Sequence, residues 1–430
     1  MLEHKSITIQ PARNILGSLR VPGDKSISHR YAMLAAMAAG RSRFDNFAPG
    51  ADCASTLGCV AALGCKVERD EKGGVVVEGL GSQLRPPSAP LDCGNSGSTM
   101  RMLSGILAGQ PFASELIGDA SLSRRPMKRI MEPLMQMGTE IQSTDDHAPL
   151  HIRGTKLRAI EYRPPVASAQ VKTSVLFAGL LAEGTTTVDE PARTRDHGEL
   201  ALRAFGAEVE RMHNAVSIQG GQKLAALEAF VPGDMSSAAF FLCAASVFPE
   251  SNVVIDGVLL NPTRSALLDV LAAMGSRTSM LRVEESHGEL VGTISLVAGQ
   301  GRHVVIEGAL TALLIDELPV LAAIAPFTDG GIEVRDAKEL KVKESDRLSA
   351  VTRNLRAMGA QVEQIEDGWR IPGGQRLHGA EIESYDDHRI AMAFAVAALK
   401  AEGASVIHKA ECVAISYPEF FKDLEKLVER

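Results

Sequence analysis

Basic side chains gather at five points, each at the edge of an apolar run: Lys25 with Arg30, Arg101 after Met100, Arg124-Arg125-Pro126-Met127-Lys128-Arg129, Lys341-Val342-Lys343-Glu344-Ser345-Asp346-Arg347, and Asp386-Asp387-His388-Arg389. Taken alone, each cluster is an ordinary solvated helix end or surface ion pair. They recur, however, in an acidic chain with 45 Lys and Arg against 53 Asp and Glu. Cations concentrated in this way point to a multiply anionic small ligand, because they give charge-assisted hydrogen bonds to carboxylate and phosphate oxygens. One acidic pair, Asp316-Glu317, lies between Leu313-Leu314-Ile315 and Leu318-Pro319-Val320-Leu321, which presses a carboxylate against apolar neighbours. Asp316 is then either a helix N-cap or a general base.

Other chemistry is absent from the sequence. Gly17 to Ser26 lacks the spacing of a phosphate-binding P-loop, and the run from Gly79 to Leu84 lacks the third glycine of a dinucleotide fingerprint. Nothing suggests nucleotide hydrolysis or a nicotinamide cofactor. Cysteines 53, 59, 65, 93, 243 and 412 form no Cys-x-x-Cys pair, so they read as buried small apolar residues rather than metal ligands or a disulfide framework.

The elements that must position the charged groups repeat six times. Segments 22–40, 93–109, 166–184, 232–248, 314–331 and 385–403 each run from small polar residues through about 12 apolar and small ones to a stop that contains glycine in all but 232–248. Taking Lys25, Asn95, Gln170, Asp234, Asp316 and Asp387 as markers, the spacings are 70, 75, 64, 82 and 71 residues. After five of the six comes a second echo, a helix ending at Gly64, Gly138, Gly206, Gly275 or Gly359 and turning into a strand. Such self-similarity means supersecondary units that bury their faces against one another. In the first, Ile27, Tyr31, Leu34, Ala35 and Ala38 share one helical face. Six helix N-termini with Asp, Ser and Asn at their starts offer several places for an anion.

A length of 430 residues with 45% apolar and 23% charged residues implies two or three globular domains, and two is the working number. A net charge of −8 lacks the basic footprint of nucleic-acid binding, and 4% aromatic residues supply neither a base-stacking platform nor a membrane belt. The longest apolar stretches fall short of the roughly 18 residues of a membrane-spanning helix. Residues 1–10 read as a strand rather than a targeting peptide, which makes the cytoplasm the default compartment.

Several ordered motifs together resemble the 5-enolpyruvylshikimate-3-phosphate synthase family, nearly end to end. They are Val21-Pro22-Gly23-Asp24-Lys25-Ser26-Ile27-Ser28-His29-Arg30, Gly94-Asn95-Ser96-Gly97-Ser98, Ser123-Arg124-Arg125-Pro126-Met127, Ser168-Ala169-Gln170, Lys343-Glu344-Ser345-Asp346-Arg347-Leu348 and Asp386-Asp387-His388-Arg389. The resemblance implies an α/β protein of two similar domains, each an inside-out α/β barrel of three βαβαββ units with helices inside and sheets outside. The expected boundaries are 21–230 for the first domain, on the shikimate 3-phosphate side, and 1–20 with 231–430 for the second. The active site would lie in the cleft between them.

The implied reaction moves the enolpyruvyl group of phosphoenolpyruvate to the 5-hydroxyl of shikimate 3-phosphate and releases phosphate, a step of aromatic amino-acid biosynthesis. By the resemblance, Lys25, Ser26, Arg30, Ser168, Gln170, Arg195, Asp316 and Lys343 hold shikimate 3-phosphate. Lys25, Gly97, Arg125, Gln170, Arg347 and Arg389 hold phosphoenolpyruvate. Two carboxylates among cations suit a reaction that takes a proton from a hydroxyl and gives one to a methylene carbon. Asp316 is assigned as base and Glu344 as proton donor, with Lys25 also catalytic and His388 nearby. The resemblance implies no cofactor or metal, a monomer, no nucleic-acid or membrane partner, and inhibition by glyphosate.

The chain departs from many family members at Ile415, where a Lys is common, and at Ala169, where a second Ser is common. These changes remove a cationic contact and a hydroxyl donor. The sister family, UDP-N-acetylglucosamine enolpyruvyl transferase, typically carries a Cys in the loop corresponding to 121–125, and no Cys lies between Cys93 and Cys243 here. A catalytically inactive anion-binding repeat protein would be expected to lose Lys25, Asp316 or Glu344, and all three are present.

Overall fold

Asp24 and Ser96 stop the backbone ahead of their helices by accepting hydrogen bonds from the Ile27 and Thr99 amides, 2.9 and 3.1 Å away. The same device recurs at Ser168, Asp234 and Asp387, so five of the six repeated helix starts carry a side-chain N-cap. The sixth start differs, with Glu317 at the cap position and no side-chain cap bond. Asp316 is therefore not an N-cap.

The computed structural model describes residues 5–299 and 301–430. The chain divides into two units, one of Gly23–Val231 with Ser286–Glu289, the other of Met1–Pro22, Pro232–Glu285 and Leu290–Arg430. The sequence reading placed the junctions slightly earlier, at 20/21 and 230/231, and put the turn Ser286–Glu289 with the second domain. In that turn Glu289 meets His197 of the first unit, Oε1 to Nδ1 at 2.6 Å.

The first unit holds α1 (Lys25–Met37), α2 (Ala51–Ala62), α3 (Gly97–Ala108), α4 (Lys128–Gln136), α5 (Ala169–Leu181) and α6 (His197–Ala204). In the middle repeat, strand Leu91–Asp92 leads into α3, Ala113–Ile117 returns parallel beside it, and α4 precedes the hairpin Glu140–Thr144 and His147–Arg153. The third repeat follows the same βαβαββ plan, with Glu161–Tyr162 parallel to Thr185–Asp189. In the first repeat the leading strand is supplied from the far end of the unit, where Leu224–Ala225 and Glu228–Phe230 lie parallel to Ala38–Asp45.

The second unit repeats the plan with α7 (Met235–Ser246), α8 (Ala266–Ala273), α9 (Ala309–Leu313), α10 (Leu318–Ile324), α11 (Arg347–Ala357), α12 (His388–Lys400) and α13 (Phe420–Leu427). Its leading strand comes from the N-terminal segment: Asn14–Leu19 pairs parallel with Asn252–Leu259, and Ile7–Ile9 pairs antiparallel with Ser405–His408. Residues 1–4 of the expected N-terminal strand lie outside the described residues.

In each unit three helices are buried on all sides. α1 is buried from Ile27 to Met37, α12 from His388 to Leu399, and all of α10 is covered. A helix without a solvent face carries no amphipathic stripe, which is why these segments read as nearly unbroken apolar runs. The aromatic residues concentrate beside them, with Phe240, Phe241, Tyr417 and Phe420 packed together in one unit and Tyr31, Phe44 and Phe205 in the other. The echo glycines end their helices at positive φ, from 87° at Gly359 to 113° at Gly138, a conformation that side-chain-bearing residues avoid. All six cysteines are buried, and none is joined in a disulfide.

Close helix packing fixes some small residues. A β-carbon on Gly105 of α3 would sit 2.1 Å from the Ser174 carbonyl oxygen of α5, whereas Gly58 of α2 has open space around it. Gly105→Ala should destabilise its unit by about 1–3 kcal/mol as the helices are forced apart. Gly58→Ala should be neutral or stabilising by about 0.4–1 kcal/mol through helix propensity and chain entropy. Denaturant melts of the two variants check this.

Candidate active site

In the first unit the N-terminal turns of α1, α3 and α5 are tied together by side chains. Gln170 on α5 accepts from Arg101 Nη1 at 2.8 Å and donates to Ser98 Oγ at 2.9 Å, both on α3. Arg30 on α1 reaches Thr173 of α5 with Nη2 at 3.0 Å, while its Nη1 bonds the Ser26 carbonyl at 2.8 Å. Three helix N-termini so joined present unpaired amides and the positive ends of their dipoles, a setting that favours phosphate or carboxylate.

The cations there are held in fixed poses. Lys25 Nζ lies 2.9 Å from Asp52 Oδ2 on α2, a carboxylate only 6% exposed. Arg125 donates to Asn95 Oδ1 at 2.7 Å, and Asn95 donates to Asp119 at 2.7 Å, which also bonds the Leu122 amide. Gly97 opens α3 between two guanidiniums, since a β-carbon added there would stand 3.0 Å from Arg101 Nη1 and 3.4 Å from Arg125 Nη1. Of the four basic side chains in 124–129, only Arg125 is buried; Arg124 is exposed and Lys128 pairs with Glu132 at the surface. Ser168 caps α5, and Arg195 is half-buried and close enough to Arg30 to repel it. Burial pulls the Arg30 guanidinium down to about 10, against the attraction of Glu199 and Asp24.

The second unit gathers the other expected residues around one guanidinium. Arg347, 1% exposed at the start of α11, donates Nε to Asp387 Oδ2 at 2.8 Å and Nη2 to Asp387 Oδ1 at 3.1 Å. Its Nη2 also reaches Glu344 Oε2 at 2.6 Å, and its Nη1 lies 3.7 Å from Asp316 Oδ1. Burial alone would lower its basicity, but Asp387, Glu344 and Asp316 together hold it above the ordinary arginine value. Arg389 opens α12 and donates to the Asp316 carbonyl at 3.1 Å. Lys343 is half-buried and has no ion-pair partner among the described residues, and His388 is buried at the first turn of α12. Ala169 is the first residue of α5, and Ile415 is half-buried against the apolar core.

Sequence reasoning left Asp52, Arg101, Asn95, Asp387 and Glu317 without roles. Arg101, Asn95 and Asp387 stood inside recognised clusters and motifs, while Asp52 carried no local signal. Its pairing with Lys25 joins residues 27 apart across two helices.

The profile of the EPSP synthase family, described as EPSP synthase (3-phosphoshikimate 1-carboxyvinyltransferase), matches residues 9–424. The chain belongs to this family. A relative from Koribacter versatilis (strain Ellin345) named 3-phosphoshikimate 1-carboxyvinyltransferase is 67% identical, covering 99% of this chain and all of the relative. One of the same name from Solibacter usitatus (strain Ellin6076) is 53% identical over 98% of this chain and 99% of its own. The solved EPSP synthase of Acinetobacter baumannii superposes with a TM-score of 0.88 at 40% identity, covering 98% of both chains. The chain is thus a transferase with the enolpyruvyl transferase fold.

One buried group beside this site titrates. His29 Nδ1 bonds Thr56 Oγ1 at 2.6 Å, which continues to Thr99 Oγ1 at 2.6 Å, joining α1, α2 and α3. Burial, then Lys25 and Arg30, hold the His29 ring well below its usual 6.5. The unfolded chain therefore binds a proton that the folded chain refuses, and stability falls as pH drops below about 6.5. The slope from this one group reaches at most ~1.4 kcal/mol per pH unit. Thermal midpoints between pH 7 and 5 should decline, and less steeply in His29→Gln.

Proposed function

We propose that the chain transfers the enolpyruvyl group of phosphoenolpyruvate to the 5-hydroxyl of shikimate 3-phosphate, yielding 5-enolpyruvylshikimate 3-phosphate and phosphate in aromatic amino-acid biosynthesis. Family membership over nearly the whole length supports the reaction. The observation that carries the mechanism is that Asp316 and Glu344, the assigned base and acid, are both held by the one guanidinium of Arg347. In this reading Lys25, Ser26, Arg30, Ser168, Gln170, Arg195, Asp316 and Lys343 bind shikimate 3-phosphate. Lys25, Gly97, Arg125, Gln170, Arg347 and Arg389 bind phosphoenolpyruvate. The two sets act on one substrate pair, and the protein works as a monomer in the cytoplasm without a cofactor.

The chemistry proceeds by addition and elimination. Asp316 takes the proton of the 5-hydroxyl as its oxygen bonds to C2 of phosphoenolpyruvate, and Glu344 gives a proton to C3, making a methyl group. The resulting tetrahedral adduct then returns a methyl proton to the Glu344 carboxylate as the C2–oxygen bond to phosphate breaks; the bonding pair leaves with phosphate, which takes up the proton held by Asp316, and the double bond is restored. Lys25 and the arginines stabilise charge on the carboxylate and phosphate throughout. Orienting the two anions against each other removes much of the entropic barrier.

Phosphate release from phosphoenolpyruvate should require shikimate 3-phosphate; release independent of it, or none at all, overturns the proposal. Asp316→Asn and Glu344→Gln should each slow turnover by roughly 100- to 10,000-fold while leaving the fold intact.

Gly97→Ala supplies a further test. Its methyl would press on the flexible ends of Arg101 and Arg125 rather than on backbone, so the fold accepts it while the guanidiniums shift. Glyphosate, longer than phosphoenolpyruvate, should lose more affinity than the substrate does. Inhibition constants for wild type and Gly97→Ala, compared with their KM values for phosphoenolpyruvate, decide it.

A further inference from the structure

Glu317 takes no part in the steps above, yet it is a carboxylate only 2% exposed. A charge so buried requires compensation by hydrogen bonds and an opposite charge. It does not act as a helix cap, because its side chain bonds no amide of α10. Its Oε1 instead accepts from the Ser236 hydroxyl in the first turn of α7 and lies 3.8 Å from Arg389 Nη1. Ser236 Oγ in turn accepts from Arg264 Nη2 at 2.6 Å, and the same nitrogen lies 3.2 Å from Asp234 Oδ1.

The other end of this chain of contacts is the expected phosphoenolpyruvate ligand. Arg389 Nη1, the nitrogen facing Glu317, also donates to the Asp316 carbonyl, and the Arg389 amide bonds Asp387 Oδ1 at 2.9 Å. Its Nε and Nη2 have no partner among the described residues, so one edge of the guanidinium is engaged and the other is open. An anion can then be met by donors whose orientation is already set, which spares part of the ordering cost of binding.

We propose that Glu317 is a positioning residue. It draws the Nη1 edge of Arg389 against the Asp316 turn so that the open edge meets phosphoenolpyruvate, while Ser236 and Arg264 keep the carboxylate from rotating away. The inference rests on the assignment of Arg389 to that substrate.

Steady-state phosphate release by wild type, Glu317→Gln, Arg389→Lys and the double variant tests it. Glu317→Gln keeps the shape and an acceptor for Ser236 but removes the charge. It should raise KM for phosphoenolpyruvate by roughly 3- to 30-fold and leave KM for shikimate 3-phosphate within about twofold. In the Arg389→Lys background the same change should add less than about twofold, because the guanidinium through which it acts is gone. Equal rises in both KM values, full additivity in the double variant, or an unchanged KM for phosphoenolpyruvate overturns the proposal while the reaction itself stands. Wild-type protein without shikimate-3-phosphate-dependent release overturns the parent reading, and this one with it. If Glu317→Gln does not fold, Ser236→Ala should raise the same KM alone, by a smaller factor.

Discussion

Three helices in each unit have no solvent face, and the rest of the structure follows from that constraint. Their sides must be apolar or small along the whole length, as Met33 to Met37 and Ala391 to Leu399 are. Polar chemistry can then appear only at their ends, where backbone amides lack intrahelical partners. The N-caps satisfy some of those amides, and what remains is a set of positive dipole ends, with Lys25, Gly97 and Gln170 in the first turns of such helices in one unit and Arg389 in the other. Core and site thus belong to the same helices, their sides and their N-terminal ends, which explains why the charged residues recur with the six-fold repeat.

Arg347 shows what such an end costs. Its guanidinium is almost sealed from water, and only the surrounding carboxylates make that tolerable. The bidentate bond to Asp387 fixes the plane of the group, so Nη2, shared with Asp387, meets Glu344 and the remaining Nη1 faces Asp316 from a set position. Lysine could not do this with a single rotatable ammonium. The first unit adds a relay: Asn95 stands between Arg125 and Asp119, accepting from the guanidinium with its neutral oxygen and donating to the carboxylate with its amide nitrogen.

Much of the architecture was visible in local chemistry. The echo glycines announced helix ends because only glycine takes their backbone angles cheaply, and the Asp and Ser residues at the segment starts announced helix starts because their side chains close on amides two or three residues ahead. The last repeat lacks such a glycine, and there the chain runs through a short turn at Ala410–Ile415 into α13. What local reading could not supply was pairing across sequence distance. Glu317 meets Ser236, 81 residues away, and Arg101 meets Gln170, 69 residues away. The Asp316-Glu317 pair illustrates the difference: the sequence offered a cap or a base for Asp316, and the structure puts Glu317 at the cap position while turning Asp316 toward Arg347.

The strand loans described above set an order on biosynthesis. Gly23–Val231 has its closing strand by the time Phe230 leaves the ribosome, so this unit can fold while the rest of the chain is still being made, apart from its later guest Ser286–Glu289. Asn14–Leu19, made before any of it, finds its parallel neighbour only when Asn252–Leu259 appears, and Ile7–Ile9 waits for Ser405–His408. The last residues then close the same sheet, Val428 and Glu429 pairing with Ile15 and Asn14. The nascent chain must therefore carry its first strands unpaired through most of translation, and truncation anywhere before the final helix leaves an open sheet edge, the kind of surface on which chains aggregate.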